Sequence, residues 1–386
     1  MPPMDFFYAF WENVQTDTPN RILAASAAVN SFIEHIPEVI SINFSEIFDF
    51  AIGCIQNPNH FVQESGFSNI LQLIPRYSSL FSDLLSKYME STIPILQNSD
   101  HEPLVCVALS SIAELLYRIE IPDSFIEPLL ENFAPLISKV SPPNQYLVIN
   151  AISALIYSAG ESIKGQQVAN DLINILQQAA SHDPSQHPLI AATGIEGLSY
   201  LISVSPSETS SVHQFTLEKI HEFLQFEDAA LFSTIMISLR ILASSIEASE
   251  FVDNVNPEIL FGSIIKVLEI DLETIGDDTA VYSSIVESKK TSLLLISKLS
   301  QTKQGMVLPF TPNIAHLVIN HFDLTINEYH ALKAALKASI SISQILSSIE
   351  NQELFKEFIG KLIDILVENF QSRNQETVSL SFYGFC

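Results

Sequence analysis

The chain has 386 residues, 44 acidic against 18 basic side chains and a formal net charge of −26. Such a charge repels phosphate backbones and attracts basic partners over a long range, which argues against direct nucleic-acid binding. Hydrophobic residues reach 47% while charged ones stay at 16%, a composition too apolar for a disordered chain and one that requires most helices to be largely buried.

The predicted elements begin with a helix carrying Phe6, Phe7, Phe10 and Trp11, the one tryptophan. The cluster reads as packing, with an exposed aromatic anchor at an open end as the alternative. From Pro19 the chain restates one helical hairpin. Second helices are expected to start near Pro19, Pro58, His101, Pro143, Gln186 and Glu227, at steps of 39, 43, 42, 43 and 41. The next starts fall at Ser283 and Ile326, after steps of 56 and 43. Two helices in every 40–47 residues or so is the period of HEAT and armadillo arrays, not of TPR (about 34) or ankyrin (about 33) units. The expected fold is all-α, an α-solenoid of about eight to nine antiparallel helix pairs running as one body through residues 1–386.

Each hairpin shows its own punctuation. Ser45–Gln56 presents Ile47, Phe48, Phe50, Ala51 and Ile55 on one side before Asn57-Pro58-Asn59 breaks it. Val62, Gly66, Ile70 and Ile74 follow at helical spacing, and the small Ser65-Gly66 pair predicts a close approach by a neighbouring helix. Phe81–Leu96 and Leu104–Ile119 form the next pair. Phe125–Val140 and Tyr146–Tyr157 flank Ser141-Pro-Pro-Asn144, and Val168–Ala180 and Leu189–Val204 flank His182-Asp-Pro184. Val212–Phe226 turns at Glu227-Asp228 into Leu231–Ile246.

The seventh hairpin differs, because its step of 56 in place of 42 implies an insertion, placed near residues 269–282 after Pro257–Leu272. Between Lys266 and Lys289 stand Glu269, Asp271, Glu273, Asp277, Asp278 and Glu287 without a base. Self-repulsion makes this a solvated loop, and its functional reading is a contact for a basic partner. Met306–Phe322, Glu328–Ile349 and Leu354–Phe370 complete the array, followed by an apolar ending at Phe382–Cys386.

Catalytic signatures are missing. Eleven glycines supply no phosphate loop or dinucleotide fingerprint, and no His-Glu-x-x-His helix occurs. His182 and His187 lack convergent ligands, Cys106 sits on a small-residue helix without a base to activate it, and Asp277-Asp278 has no evident pocket. The expectation is no enzyme, no cofactor and no metal. Cys54, Cys106 and Cys386 are odd in number and lie in apolar contexts, which fits free thiols in a reducing compartment. Met1-Pro-Pro-Met-Asp5 does not read as a secretory signal, and no uninterrupted apolar run of 18 residues occurs, so cytosol or nucleus without membrane insertion is expected.

From Ala191 to Leu346 the chain resembles the importin-β (karyopherin-β) transport receptors, most closely the importin beta-3 type. The residues that carry it are Thr193-Gly-Ile-Glu-Gly-Leu-Ser199, Leu231-Phe-Ser-Thr-Ile-Met-Ile-Ser-Leu-Arg240 and Val286-Glu-Ser-Lys-Lys-Thr-Ser-Leu293. Gly305-Met-Val-Leu-Pro-Phe310 and Asn320-His-Phe322 follow in the same order. The resemblance implies binding of basic protein cargo on a concave face, regulation by the GTPase Ran, weak contact with Phe-Gly nucleoporins, and residence in cytoplasm, nucleus and nuclear pore. The family's N-terminal Ran-binding repeats are not found at Met4–Ile36, so the chain corresponds to the middle of such a receptor or to a shortened relative. Candidate cargo contacts are Glu64, Glu114 and Glu196 on second helices and Asp271, Glu273, Asp277, Asp278 and Glu287 around the insertion. The alternative is a scaffold subunit of a larger complex, joined through the Phe6–Trp11 cluster and the Phe382–Cys386 ending.

Overall fold

The structure, a computed structural model, describes residues 3–14, 16–163, 168–225, 229–245, 255–272, 279–324, 329–348 and 352–370. The chain divides into two compact units, residues 1–172 and 173–386. No strand occurs among the described residues.

Unit 1 holds α1 (Pro3–Asn13), α2 (Pro19–His35), α3 (Pro37–Ile42), α4 (Phe44–Ile55), α5 (His60–Phe81), α6 (Leu85–Asn98), α7 (Glu102–Leu116), α8 (Ile126–Phe133), α9 (Leu136–Lys139) and α10 (Gln145–Ala159). Second helices α2, α5, α7 and α10 stack on one another, while α4, α6 and α8 form the layer of first helices. Helix α11 (Val168–Ala180) crosses the division. Unit 2 continues with α12 (Pro188–Val204), α13 (His213–Phe223), α14 (Ala229–Ser245), α15 (Pro257–Glu269), α16 (Thr279–Thr302), α17 (Gln304–Val307), α18 (Thr311–Leu324), α19 (Tyr329–Ser348) and α20 (Gln352–Phe370). Here α12, α14, α16 and α19 make the second-helix layer and α13, α15, α18 and α20 the first.

Local chemistry sets the helix ends. Proline occupies the first turn of α2, α3, α7, α12 and α15, where its missing N–H has no intrahelical partner to lose. The Asn59 side chain accepts from Phe61 N and Val62 N at the start of α5, and Asn256 does the same for Glu258 N in α15. Gly160, with φ of +52°, stops α10 in a conformation that a side chain would disfavour.

Hairpins close tightly where the sequence is small. A Cβ on Gly66 would stand 2.8 Å from Ala51 O and 2.9 Å from Cys54 Cβ of α4, so the glycine is what allows α4 and α5 to meet. Gly194 plays the same part in unit 2, where a Cβ would stand 2.6 Å from Ala180 N. Polar ties then repeat at one period. Ser26 Oγ donates to Asn69 Oδ1 (3.1 Å) over a separation of 43 residues, and Lys139 Nζ donates to Gln97 O (3.1 Å) over 42. In unit 2, Asn256 N donates to Gln214 Oε1 (2.7 Å) across 42 residues, and the Ser297 and Ser341 hydroxyls meet at 2.9 Å across 44. The two serine ties, Ser26 to Asn69 and Ser297 to Ser341, satisfy polar groups that stacking buries, and the other two lie at the surface.

Several boundaries differ from the sequence reading. Helix α5 runs on to Phe81 and breaks at Tyr77 (φ −133°, ψ 24°), just after Pro75, so the next first helix starts at Leu85 instead of Phe81. Proline has no N–H to give the preceding turn and its ring crowds that turn's carbonyl, which bends the helix without ending it at once. Helix α16 starts at Thr279 instead of Ser283. The His221 ring reaches Ser263 across 42 residues, yet Ser288 Oγ donates to Met236 O across 52, so ten residues beyond one period enter between Ser263 and Ser288. Part of that surplus is spent lengthening α16 to 24 residues. One stretch, Pro142–Ile163, contains an 18-residue window with the mean hydropathy (1.3) of a membrane span, but 61% of that window is buried within the protein, as expected of a core helix.

Candidate functional site

In unit 1 the second-helix layer carries carboxylates along a groove. Glu102, Cys106, Ser110 and Glu114 succeed one another at four-residue spacing on the partly exposed side of α7. A cleft of about 550 Å³ opens beside the first three of these, bordered also by Leu71 of α5 and by Asn144. Glu102 Oε1 accepts from Ser141 Oγ, from Asn144 Nδ2 (2.8 Å) and from Ser141 N (2.9 Å), bonds that hold its carboxyl below the usual range. Glu64 Oε1 stands 3.4 Å from His101 Nδ1, and the His101 ring stacks on His60 at 4.8 Å. Glu114 pairs with Arg118 at 2.6 Å. The side chains of Glu64 and Glu114 stay 30% and 34% exposed, so both still face solvent.

The candidates of unit 2 are placed differently. Glu196 on α12 is hemmed in by protein despite some solvent access, and burial pushes its carboxyl up to about 7, against the pull of a Tyr200 hydrogen bond and the Arg240 charge. Glu287 is paired with Lys290 at 2.6 Å, and exposed Asp271 attracts the buried Lys289. Glu273, Asp277 and Asp278 lie outside the described residues.

Lys289 is the functional-looking group that sequence reasoning missed. It is 2% exposed, and its Nζ donates to Leu268 O (2.8 Å) and Ile270 O (2.6 Å), the free carbonyls at the end of α15. Its third neighbour is His321 Nε2 at 3.3 Å, and His321 Nδ1 donates to Leu317 O at 2.7 Å. A cation at a helix C-terminus meets the negative end of the backbone dipole. Burial pushes the amine down to about 8, with Asp271 opposing, and burial followed by the Lys289 charge pushes His321 down to about 4. Periodicity held the clue, since Lys289 falls in step with buried Ile285, Leu293 and Ile296 on the core side of α16. The arrangement is a structural plug that fastens α15, α16 and α18 together.

The charge of the second helices also departs from expectation. The sequence reading put acids on this layer throughout, but α12, α14, α16 and α19 carry two acids, Glu196 and Glu287, against six bases: Arg240, Lys289, Lys290, Lys298, Lys333 and Lys337. The first helices α13, α15, α18 and α20 carry nine acids against four bases in sequence. The sequence reading named acids on second helices but did not set them against the bases of the same helices.

The remaining candidates are accounted for by packing. The His182 and His187 rings meet edge to face at 5.6 Å, and Asp183 Oδ1 accepts from Ser185 N and Oγ in the same turn. Among the described residues, no group of three or more His, Cys, Asp or Glu is placed to hold a metal. Burial pushes the Cys54 thiol up to about 12, and burial plus the Glu102 charge raise that of Cys106, opposite to what a nucleophile needs. Phe7 is fully buried, Trp11 stacks on it at 5.5 Å and meets Phe50 edge-on, and Phe10 meets Phe32 at 5.1 Å. Phe6 and Tyr8 are the exposed aromatic side chains of that helix.

The sequence matches no protein-family model and no curated protein. Solved structures are more informative. Kap121p bound to Ste12p is similar with a TM-score of 0.69 at 15% identity, over 99% of this chain and 38% of that one. Kap95 in its complex with Nup1 gives 0.62 at 14%, over 96% and 45%. Yeast importin-β (Kap95p) itself gives 0.60 at 14%, again over 96% and 45%. The chain spans less than half the length of these receptors. At such identities the likeness concerns architecture, and it shows a HEAT-repeat α-solenoid fold.

Proposed function

We propose that this chain is a protein-binding stretch of an importin-type nuclear transport receptor, holding Lys/Arg-rich cargo segments against carboxylates on its second helices. Supporting it are the fold shared with Kap121p, seen bound to Ste12p, and with Kap95, seen bound to Nup1. The observation that carries the reading is the groove of unit 1. Glu102 borders that groove, and Glu114 lies twelve residues further along α7, about 18 Å along the axis, which an extended segment of about five residues spans. Glu64 lies on the preceding second helix. Long-range attraction speeds encounter, and a few desolvated pairs set affinity.

In this proposal Glu196, Asp271, Glu273, Asp277, Asp278 and Glu287 add to the attracting field. GTP-loaded Ran displaces cargo, Phe-Gly nucleoporins dock weakly, and the protein moves between cytoplasm and nucleus. The two units are successive stretches of one solenoid with no catalytic role. The test is anisotropy of a labelled Lys/Arg-rich peptide with wild type, with Glu64→Gln/Glu114→Gln, and with the five acids at 271–287 neutralised. Weaker, slower binding by the variants and loss of cargo in a pull-down with GTP-loaded Ran are expected. Unchanged rate and affinity in both variants would reject the reading. A scaffold role has less support, because Phe7, Phe10 and Trp11 are engaged in packing and Phe382–Cys386 lies outside the described residues. Elution only as an obligate large complex that ignores Ran would favour it.

A further inference from the structure

Unit 2 presents a surface of the opposite sign that cargo capture by carboxylates does not use. Between α16 and α19 opens a cleft of about 440 Å³, bordered by Lys298, Gln301, Lys337 and Ser341, with Leu294 and Ile340 as apolar members. Lys298 and Lys337 are exposed, and neither has an ion-pair partner among the described residues. Lys333 stands one turn from Lys337 on the same side of α19, and Lys290 two turns from Lys298 on α16. No acid lies on α19, and the one acid of α16, Glu287, is taken up by Lys290. In a chain of net charge −26, the two lysines that border this cleft have no carboxylate among its lining residues, and an anion between them would relieve their mutual repulsion. The cleft therefore holds a local positive potential within a negative protein.

We infer that this cleft binds an acidic protein segment: an extended stretch whose Asp or Glu carboxylates meet Lys298 and Lys337 and whose apolar side chains rest on Leu294 and Ile340. Gln301 Nε2, now donating to Ser341 Oγ at 3.3 Å, supplies a neutral donor at the edge. A peptide fits better than a nucleic acid for two reasons. A long polyanion would be repelled by the rest of the chain, whereas a short anionic segment meets only the local patch. Among the described residues no aromatic side chain borders the cleft to stack a base, while two aliphatic ones do border it.

The test uses the full chain and a short fluorescein-labelled peptide of alternating Glu and Leu, with a Lys–Leu peptide and a single-stranded oligonucleotide of matching length as comparators. The wild type binds the acidic peptide at low salt, and Lys298→Glu/Lys337→Glu weakens it by about tenfold or more, the scale of reversing close charge pairs. Lys298→Arg/Lys337→Arg keeps the affinity, and both variants keep the wild-type circular dichroism because the two positions are exposed. The charge-reversal variant still binds the Lys–Leu peptide, which separates this site from the cargo groove of unit 1. No binding of the acidic peptide by wild type, equal affinity in the charge-reversal variant, or an oligonucleotide that binds as tightly as the peptide would each overturn the inference.

Discussion

Helices α7 of unit 1 and α16 of unit 2 occupy the same place in their hairpins and show solvent opposite chemistry. Helix α7 turns Glu102 and Glu114 outward, while α16 turns out Lys290 and Lys298 and buries a third lysine, Lys289. Both bury the same kind of apolar stripe, Leu104, Ala108, Leu109 and Ile112 in one and Ile285, Leu293, Ile296 and Leu299 in the other. A stacked hairpin fixes which positions are core and leaves the rest free to carry charge of either sign. The sign of a binding surface in such a fold belongs to each helix, and net charge describes only the average.

The comparison breaks most violently where both units rely on a missing side chain. Gly66→Val and Gly194→Val are each expected to destabilise by about 2–3 kcal/mol, because backbone of the facing helix cannot move aside. Gly360→Ala, with open space around it in the middle of α20, is expected to stabilise by about 0.5–1 kcal/mol. Urea titrations of the three variants check both signs.

Next in size comes the plug peculiar to unit 2. Lys289→Met leaves the carbonyls of Leu268 and Ile270 and the ring of His321 without their donor, at a cost of about 1–3 kcal/mol. The wild-type amine titrates at about 8 when folded and near its ordinary 10.5 when unfolded, so the unfolded chain binds more protons in that window. Stability therefore rises with pH from 8 to 10.5, and the Met variant loses that rise. His321, at about 4 against 6.5, makes stability fall as pH drops from 6.5 to 4. Denaturant midpoints measured across both windows test the assignment.

A smaller effect separates Glu196 from the exposed carboxylates of unit 1. Its folded value of about 7 lies above the ordinary 4.5, so the folded state binds more protons between them and stability falls as pH rises from 4.5 to 7. Glu196→Gln removes that decline, a difference on the order of 1–2 kcal/mol after allowing for its partial exposure. Glu114→Gln, at a solvent-facing pair, is expected to change stability by less than about 1 kcal/mol.

Much of the fold was legible because its signals are local and repeated. Prolines and asparagines mark helix starts, and apolar spacing marks the core sides from Ile47 to Ile345. Gly66 even announced its close contact. Pro75 misled, since a proline signals a break without saying whether the helix bends or stops. The surface was less legible. Sequence identifies Glu64, Glu114 and Glu196 as carboxylates on second helices, but only packing shows that two face water and one is hemmed in. The role of Lys289 was not legible, because a buried lysine needs acceptors from α15 and a neighbour from α18, elements distant in sequence. The cleft at Lys298 and Lys337 was hidden for the same reason, its two sides being about 40 residues apart.

The most direct measurement is photo-crosslinking of a Lys/Arg-rich peptide to the full chain, with attachment points mapped by mass spectrometry. The account predicts crosslinks on α5 and α7 around Glu64, Glu102 and Glu114, competed by salt and by unlabelled basic peptide. Crosslinks concentrated on α16 and α19 beside Lys298 and Lys337 would contradict it.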